Sequence, residues 1–524
     1  MNPHASSGKH TEEWRRSGNL RWKVLDPAGQ PRGEGTDDEP KVSVYSTVYV
    51  SDELIVRGAS RADILGRISG GLTDIAKRAG WRIDTRDLED DRAQDDDVSM
   101  RARLSVRRNV AGDAGDGNDA DDGSDGGDGS AGSITATTPD AWEVLRQARA
   151  NDDGSADGVS LNHVITTDAY GLNPFTANPF TANPFTANPF TANPFTANAP
   201  GVGIASYGAL GFGGRQPVTY LGPDPATEFD SATVRPVVAV FDTGLGAHPW
   251  FGGDVSLPPT LPNGDPIGIV RPDTNPEVYP SLAVPLDGIF DDASGHGTFI
   301  AGVIRQECPE ARILAVRVAD GEGIIFETEL IGALKRLIKY ITPDTPVDVL
   351  NLSFSFYHET PDDPTTISEI TELLRQLRDD HDVVVVCSAG NEATDRPSYP
   401  AALPDTGERH VAVGALNPAD YSVALFSNIG DWVDVFAPGV SLVSTVPVVF
   451  DGGIQAGTRD DKNGRRRETL DVDDFRGGYG VWSGTSFAAP VVAGRIAARI
   501  AEGDTSTDAV ISVIGDLDSR DHSR

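Results

Sequence analysis

The chain has 524 residues, 38% of them apolar, a formal net charge of −35 and a pI near 4.5. That length leaves room for two or three domains and a large buried core, while so acidic a surface repels phosphate backbones and anionic membranes, so neither nucleic acid nor a membrane is an expected partner. The two cysteines, Cys308 and Cys387, are too few for a disulfide scaffold.

Residues 1–40 are polar, rich in Gly, Pro and charge, and read as a disordered segment. They contain no apolar run suited to a signal peptide, and the Arg15-Arg16 pair precedes no hydrophobic segment. No apolar stretch approaches the roughly 20 residues of a membrane span, so a cytoplasmic location is expected over secretion. Residues 41–168 read as a small α+β module. The stretch from Lys41 to Gly58 alternates β-branched residues like a strand, and Asp63 to Ala79 has helical spacing. Strands follow near Trp81–Ile83 and Met100–Val106, then a helix over AWEVLRQARA and a strand over VSLNHVIT. This is the element order of a split βαβ sandwich. An insert at 111–132, almost wholly Gly, Asp, Asn, Ser and Ala, cannot bury apolar surface and reads as a solvated loop without an EF-hand pattern.

Residues 169–205 form a linker, within which 173–197 are five tandem copies of Asn-Pro-Phe-Thr-Ala. Proline at every fifth position removes backbone donors and blocks helix and central strand, so the repeat reads as a spacer; its phenylalanines leave docking open. Residues 206–505 then read as one α/β domain. Apolar runs such as VRPVVAVFD, VDVLNLSF, DVVVVCSAG and HVAVGAL alternate with amphipathic helices, the signature of a parallel sheet covered on both faces. A polar insert near Asp451–Asp474 is expected at the surface, and residues 506–524 as a loose polar tail. Cys387, after four valines, reads as a small buried hydrophobe, as does Cys308, with a bridge between them left open.

Three motifs sit where such a sheet places chemistry, beyond the carboxyl ends of strands. Asp242 ends the strand Val238-Ala-Val-Phe and is followed by Thr-Gly; His296 lies in Ser-Gly-His-Gly-Thr just before a helical run; Ser486 opens an apolar helix in Ser-Gly-Thr-Ser-Phe-Ala-Ala-Pro. Singly, each has a structural reading as a turn, a loop residue or a helix cap. In the order Asp, His, Ser on an α/β sheet they read as a catalytic triad, in an order distinct from the Ser, Asp, His order of α/β-hydrolases.

These residues resemble the subtilase family of serine peptidases. GHGTFIAGVI resembles its histidine motif, with Phe299 where a second histidine is common, and GTSFAAPVVAG its serine motif, with Phe487 and Val491 replacing Met and His. VVCSAGNEA resembles the segment that carries the oxyanion-hole asparagine, which maps onto Asn391; NLSFS, YPAALP and FSNIGDWVDVFAPG follow in the family order. The resemblance covers roughly 234–502 and implies a serine endopeptidase with Asp242, His296 and Ser486 as catalytic residues. It implies an extended peptide substrate paired with edges at Ser353, Phe354 and Ser355 and at Ser388, Ala389 and Gly390. It further implies that 41–168 is a pro-domain acting as an intramolecular inhibitor, cut off between about Thr166 and Gly203. No cofactor is expected for the chemistry; structural calcium is a family option, but no ligand set for it stands out. A binding module without catalysis is the competing reading, disfavoured because a binder needs no triad, and an esterase on another α/β fold is disfavoured by motif order.

Overall fold

The computed structural model describes residues 22–25, 44–87, 98–106, 138–151, 154–167, 215–230, 233–282, 288–360, 369–403, 407–419 and 422–522. The insert at 111–132, the pentapeptide repeat and most of the 1–40 segment lie outside the described residues. The chain divides into two compact units, one comprising Met1–Leu25 with Tyr49–Asn162 and the other Asp26–Val48 with His163–Arg524.

The first unit is α+β. Strands β1 (Trp22–Val24) and β2 (Val48–Gly58) are followed by α1 (Arg61–Arg67), a wider helical turn at Ile68–Leu72 and α2 (Thr73–Arg78). Then come β3 (Trp81–Asp87), β4 (Val98–Val106), α3 (Ala141–Ala150) and β5 (Val159–Thr167). The strand order is β5-β2-β4-β3, with β2–β4 and β4–β3 antiparallel and β1 also on β2. The expectation of disorder over 1–40 therefore fails at Trp22–Val24. Leu25 is buried there and Lys23 Nζ pairs with Asp140 at 2.8 Å, which anchors the segment. The same Asp140 caps α3, accepting from the Trp142 N–H at 3.1 Å. Strand β5 is shared: Val159–Asn162 belong to the first unit and His163–Thr167 to the second.

The second unit opens with β6 (Gln216–Pro217) and β7 (Val237–Asp242), then α4 (His296–Glu307), β8 (Arg312–Arg317), β9 (Ile324–Phe326) and α5 (Glu327–Tyr340). Next are β10 (Val349–Leu352), β11 (Phe354–Ser355), α6 (Glu369–His381), β12 (Val384–Ser388), β13 (His410–Leu416), β14 (Val435–Pro438) and β15 (Leu442–Thr445). The hairpin β16 (Arg459–Lys462) and β17 (Arg465–Glu468), β18 (Tyr479–Trp482), α7 (Thr485–Glu502) and α8 (Ser506–His522) complete it.

The main sheet runs β14-β13-β12-β10-β7-β8, and every pairing is parallel. Val238 and Val240 of β7 join the core formed with α4 and α7, while the alternate residues Ala239 and Phe241 are equally buried outside that cluster. Burial on both faces is why the strand reads as a continuous apolar run. The hairpin β16–β17 is exposed throughout, in line with a surface insert.

The segment after 505 is not a loose tail. Thr505 and Asp508 form a reciprocal cap, with the Asp508 N–H donating to Thr505 Oγ1 at 3.2 Å and the Thr505 hydroxyl to Asp508 Oδ2 at 2.8 Å. Val510, Val513 and Leu517 then recur at helical spacing and are buried. Both cysteines are free and buried, and burial pushes the Cys308 thiol up to about 12.

Candidate active site

Strand order reverses around β7 and β10, where an open α/β sheet leaves a crevice beyond its carboxyl ends. Asp242 is the last residue of β7 and almost wholly buried. His296 is the first residue of α4, and its Nδ1 lies 2.9 Å from each Asp242 carboxylate oxygen. Gly297 makes this meeting possible, because a Cβ there would sit 2.3 Å from the Gly244 carbonyl oxygen. Its N–H instead donates to Thr243 Oγ1 at 2.8 Å, tying the two motifs together. The imidazole packs edge-on to Trp482 at 5.5 Å between ring centroids and against Phe487 at 5.1 Å. Phe299 also stacks on Phe487, at 4.6 Å, so both substituted phenylalanines are core residues around the histidine.

Ser486 is the second residue of α7. Pro490, four residues on, has no N–H, so the Ser486 carbonyl lacks its helical partner. The Ser353 hydroxyl supplies one, donating to that carbonyl at 2.9 Å, and the Ser486 hydroxyl faces the Ser353 carbonyl at 3.5 Å. The direct Ser486–His296 hydrogen bond expected of a triad is thus not formed: the single hydroxyl proton is turned to Ser353, and His296 Nε2 has no partner among the described residues. Catalytic hydrogen bonds are often long or misaligned without substrate and tighten when it binds. Asn391 follows β12, and its Oδ1 accepts from the Thr485 N–H and hydroxyl, both at 2.9 Å. That clamp fixes the side-chain amide and sets Nδ2 beside Gly484, immediately before the serine's helix.

The proposed substrate edges hold a strand. Phe354 and Ser355 of β11 pair antiparallel with Thr167 and Thr166, while β9 pairs Phe326, Ile325 and Ile324 with Val164, Ile165 and Thr166. The Thr167 N–H also donates to the Gly323 carbonyl at 2.8 Å. The His163–Thr167 half of β5 is therefore the middle strand between two short edges. Ser388 and Ala389 are buried, and Gly390 adopts a left-handed φ of 100° at the turn into Asn391.

Several residues at the site carry no sequence signal. Glu277 is fully buried, its Oε1 2.5 Å from Thr243 Oγ1 and its Oε2 2.5 Å from Thr298 Oγ1. Burial pushes its carboxyl up to about 7, aided by the charge of Asp242, against the two threonine hydrogen bonds. Thr243 Oγ1 is also 3.1 Å from Asp242 Oδ1. One hydroxyl proton cannot serve two carboxylates, so a protonated Glu277 completes the set. Arg215 donates to the carbonyls of Asp291, Asp292 and Ser294 and lies 4.9 Å over Trp482, bracing the loop before His296. At the start of the His163–Thr167 strand, His163 Nδ1 is 2.6 Å from Glu327 Oε2 and Nε2 is 2.9 Å from Glu359 Oε2. Burial alone would lower the His163 pKa, but the two carboxylates outweigh it and push it up to about 10. Among the described residues, His163, His358 and Glu359 are the one group of such side chains able to gather on a metal ion, and their two imidazoles do not suit calcium.

Residues 235–512, just over half of the chain, match the model of the Subtilase family. The chain belongs to the subtilase family. Subtilisin NAT of Bacillus subtilis subsp. natto is 29% identical over 290 residues, covering 52% of this chain and 58% of that protein. A thermophilic serine proteinase of Bacillus sp. (strain AK1) is 31% identical over 230 residues, covering 42% of this chain and 46% of its own. The major intracellular serine protease of Bacillus subtilis (strain 168) is 29% identical over 223 residues, covering 40% and 56%. This subtilase thus spans less than two thirds of the length of each of these relatives. No helix among its described residues is long and apolar enough to cross a membrane.

Proposed function

We propose that this subtilase is a serine endopeptidase in which Ser486 is the nucleophile, His296 the general base and acid, and Asp242 the carboxylate that orients and stabilises the imidazolium. The observation that carries the reading is His296 Nδ1 at 2.9 Å from both Asp242 oxygens, with Nε2 buried and open beside the helix whose second residue is Ser486. Ser486 Oγ attacks a peptide carbonyl while His296 Nε2 takes its proton; the same nitrogen returns a proton to the leaving amine, and water repeats the sequence on the acyl-enzyme. Asn391 Nδ2 and the Ser486 N–H donate to the oxyanion, which the Thr485 clamp on Asn391 supports. No cofactor enters these steps.

Peptide substrates bind extended along Ser353–Ser355, with Ser388–Gly390 beyond. The pairing of Thr166 and Thr167 with β11 supports this, because it is the arrangement that a peptide adding a strand to a sheet edge would take. The same pairing supports a restrained precursor. The N-terminal module is the chain's own inhibitor, with the segment Val164–Thr167 held where substrate would lie, and it is cut away between about Thr166 and Gly203. The antiparallel register runs from Ser355 towards Ser353, the residue bonded to Ser486, so the strand heads for the nucleophile. The likeness to an intracellular serine protease supports a cytoplasmic site of action. Intact mass of purified wild type and Ser486→Ala tests the whole reading: wild type should lose an N-terminal fragment ending between 166 and 203, and identical masses would refute autoprocessing.

A further inference from the structure

We infer that His163, His358 and Glu359 form a binding site for a tetrahedral transition-metal ion, Zn²⁺ in chemical class, which bolts the cleft strand to the segment that follows β11. The ligand atoms of these three buried side chains all lie within 4.8 Å of one another. Glu359 Oε2 is 2.9 Å from His163 Nε2 and 3.6 Å from His358 Nδ1. Tetrahedral bonds of about 2.0–2.1 Å space ligand atoms by about 3.3 Å, between these two separations, so Glu359 is spaced from each imidazole much as two ligands of one ion would be, and the two rings need only close to that same spacing.

The fourth residue of the cluster makes the grouping look like more than a buried ion pair. Glu327 Oε2 accepts at 2.6 Å from His163 Nδ1 and at 3.0 Å from the His163 backbone N–H. This fixes the ring and keeps a proton on Nδ1, leaving Nε2 as the face towards Glu359 and His358. A carboxylate behind a histidine whose other nitrogen faces the metal is the usual outer support of a ligating imidazole. Two imidazoles and one carboxylate are a zinc-type donor set with an open fourth position for water, and the imidazoles exclude calcium. On binding, the proton shared between His163 Nε2 and Glu359 leaves to solvent, and the His358 ring gives up the Thr360 N–H that Nδ1 now accepts at 3.1 Å.

The ligands come from chain segments far apart in sequence. His163 begins the cleft half of β5, while His358 and Glu359 follow β11 by three and four residues, and Glu327 opens α5 directly after β9. A metal here therefore cross-links the central strand to the segment that follows β11, while Glu327 ties His163 to the β9 side. If that strand is the inhibitory tail, as the proposed function holds, the metal slows its release.

The test uses the full chain carrying Ser486→Ala, stripped of metal and titrated with Co²⁺, so its outcome is independent of whether the chain is a peptidase. We expect saturable uptake of one Co²⁺ with the intense visible bands of a tetrahedral site, displaced by Zn²⁺ and untouched by Ca²⁺. His358→Asn and Glu359→Gln should weaken binding at least 100-fold, and Glu327→Gln by about 10–100-fold. Zn²⁺ should also raise Tm in the Ser486→Ala chain and not in those variants, a readout that survives if His163→Ala fails to fold. Absence of a tetrahedral spectrum in the unaltered site, or uptake undiminished in His358→Asn and Glu359→Gln, overturns the proposal.

Discussion

Asn391 and Glu277 are the residues at which single substitutions say most. With Oδ1 held by Thr485, Asn391 is a preset donor, and Asn391→Leu should lower kcat about 10²–10³-fold with little change in KM, measured on any cleaved peptide. A turn role alone would change stability and leave turnover nearly intact. Glu277 governs a pH dependence. Its folded pKa of about 7 lies above the ordinary 4.5, so between those values the folded chain holds a proton that the unfolded chain has lost. The stabilisation from that proton is complete below the ordinary value and is lost as pH rises through 7. In a Ser486→Ala background, Tm should therefore fall from pH 5 to pH 8 more steeply with Glu277 than with Glu277→Gln; parallel curves would contradict a protonated Glu277. Asn391 was legible in its motif, whereas Glu277 was not, because it reaches Thr243 and Thr298 only through the folded loop before α4.

At the scale of elements, α7 illustrates how a helix carries the proposed nucleophile despite a proline. Pro490 removes the N–H that would pair with the Ser486 carbonyl, and the Ser353 hydroxyl fills the gap at 2.9 Å. Ser353→Ala should then leave a buried carbonyl unpaired and cost about 1–3 kcal/mol. Pro490→Ala restores a helical N–H, so Ser353→Ala should cost less in that background; a double-mutant cycle by denaturant unfolding, with Ser486→Ala throughout, measures the difference. Equal costs in both backgrounds would mean that the hydroxyl serves some other group. Strands and helices with strong local patterns were readable from sequence: VSLNHVIT, AWEVLRQARA and the valine run before Cys387 all form the elements that their spacing predicts. The last helix was missed because its apolar positions, Val510, Val513 and Leu517, are diluted by Asp and Ser, although the Thr505–Asp508 cap was there to be seen.

For the whole molecule, the motifs were readable in the sequence and the way distant segments meet was not. Asp242 and His296 were legible because each sits in a short local pattern at a strand or helix end, and the parallel sheet brings them together. The pairing of Val164–Thr167 with β9 and β11, and the gathering of His163 with Glu327 and Glu359, depend on contacts across more than 150 residues, which no local spacing encodes. In the proposed function these long-range contacts are what would restrain the peptidase domain. The central claim remains that Ser486 is an activated nucleophile. Incubation of the matured chain with a fluorophosphonate, followed by peptide mapping, tests it most directly. One adduct is expected, on Ser486, abolished in His296→Ala; an unlabelled Ser486 in wild type, or equal labelling without His296, would mean that Ser486 is not a nucleophile activated by His296.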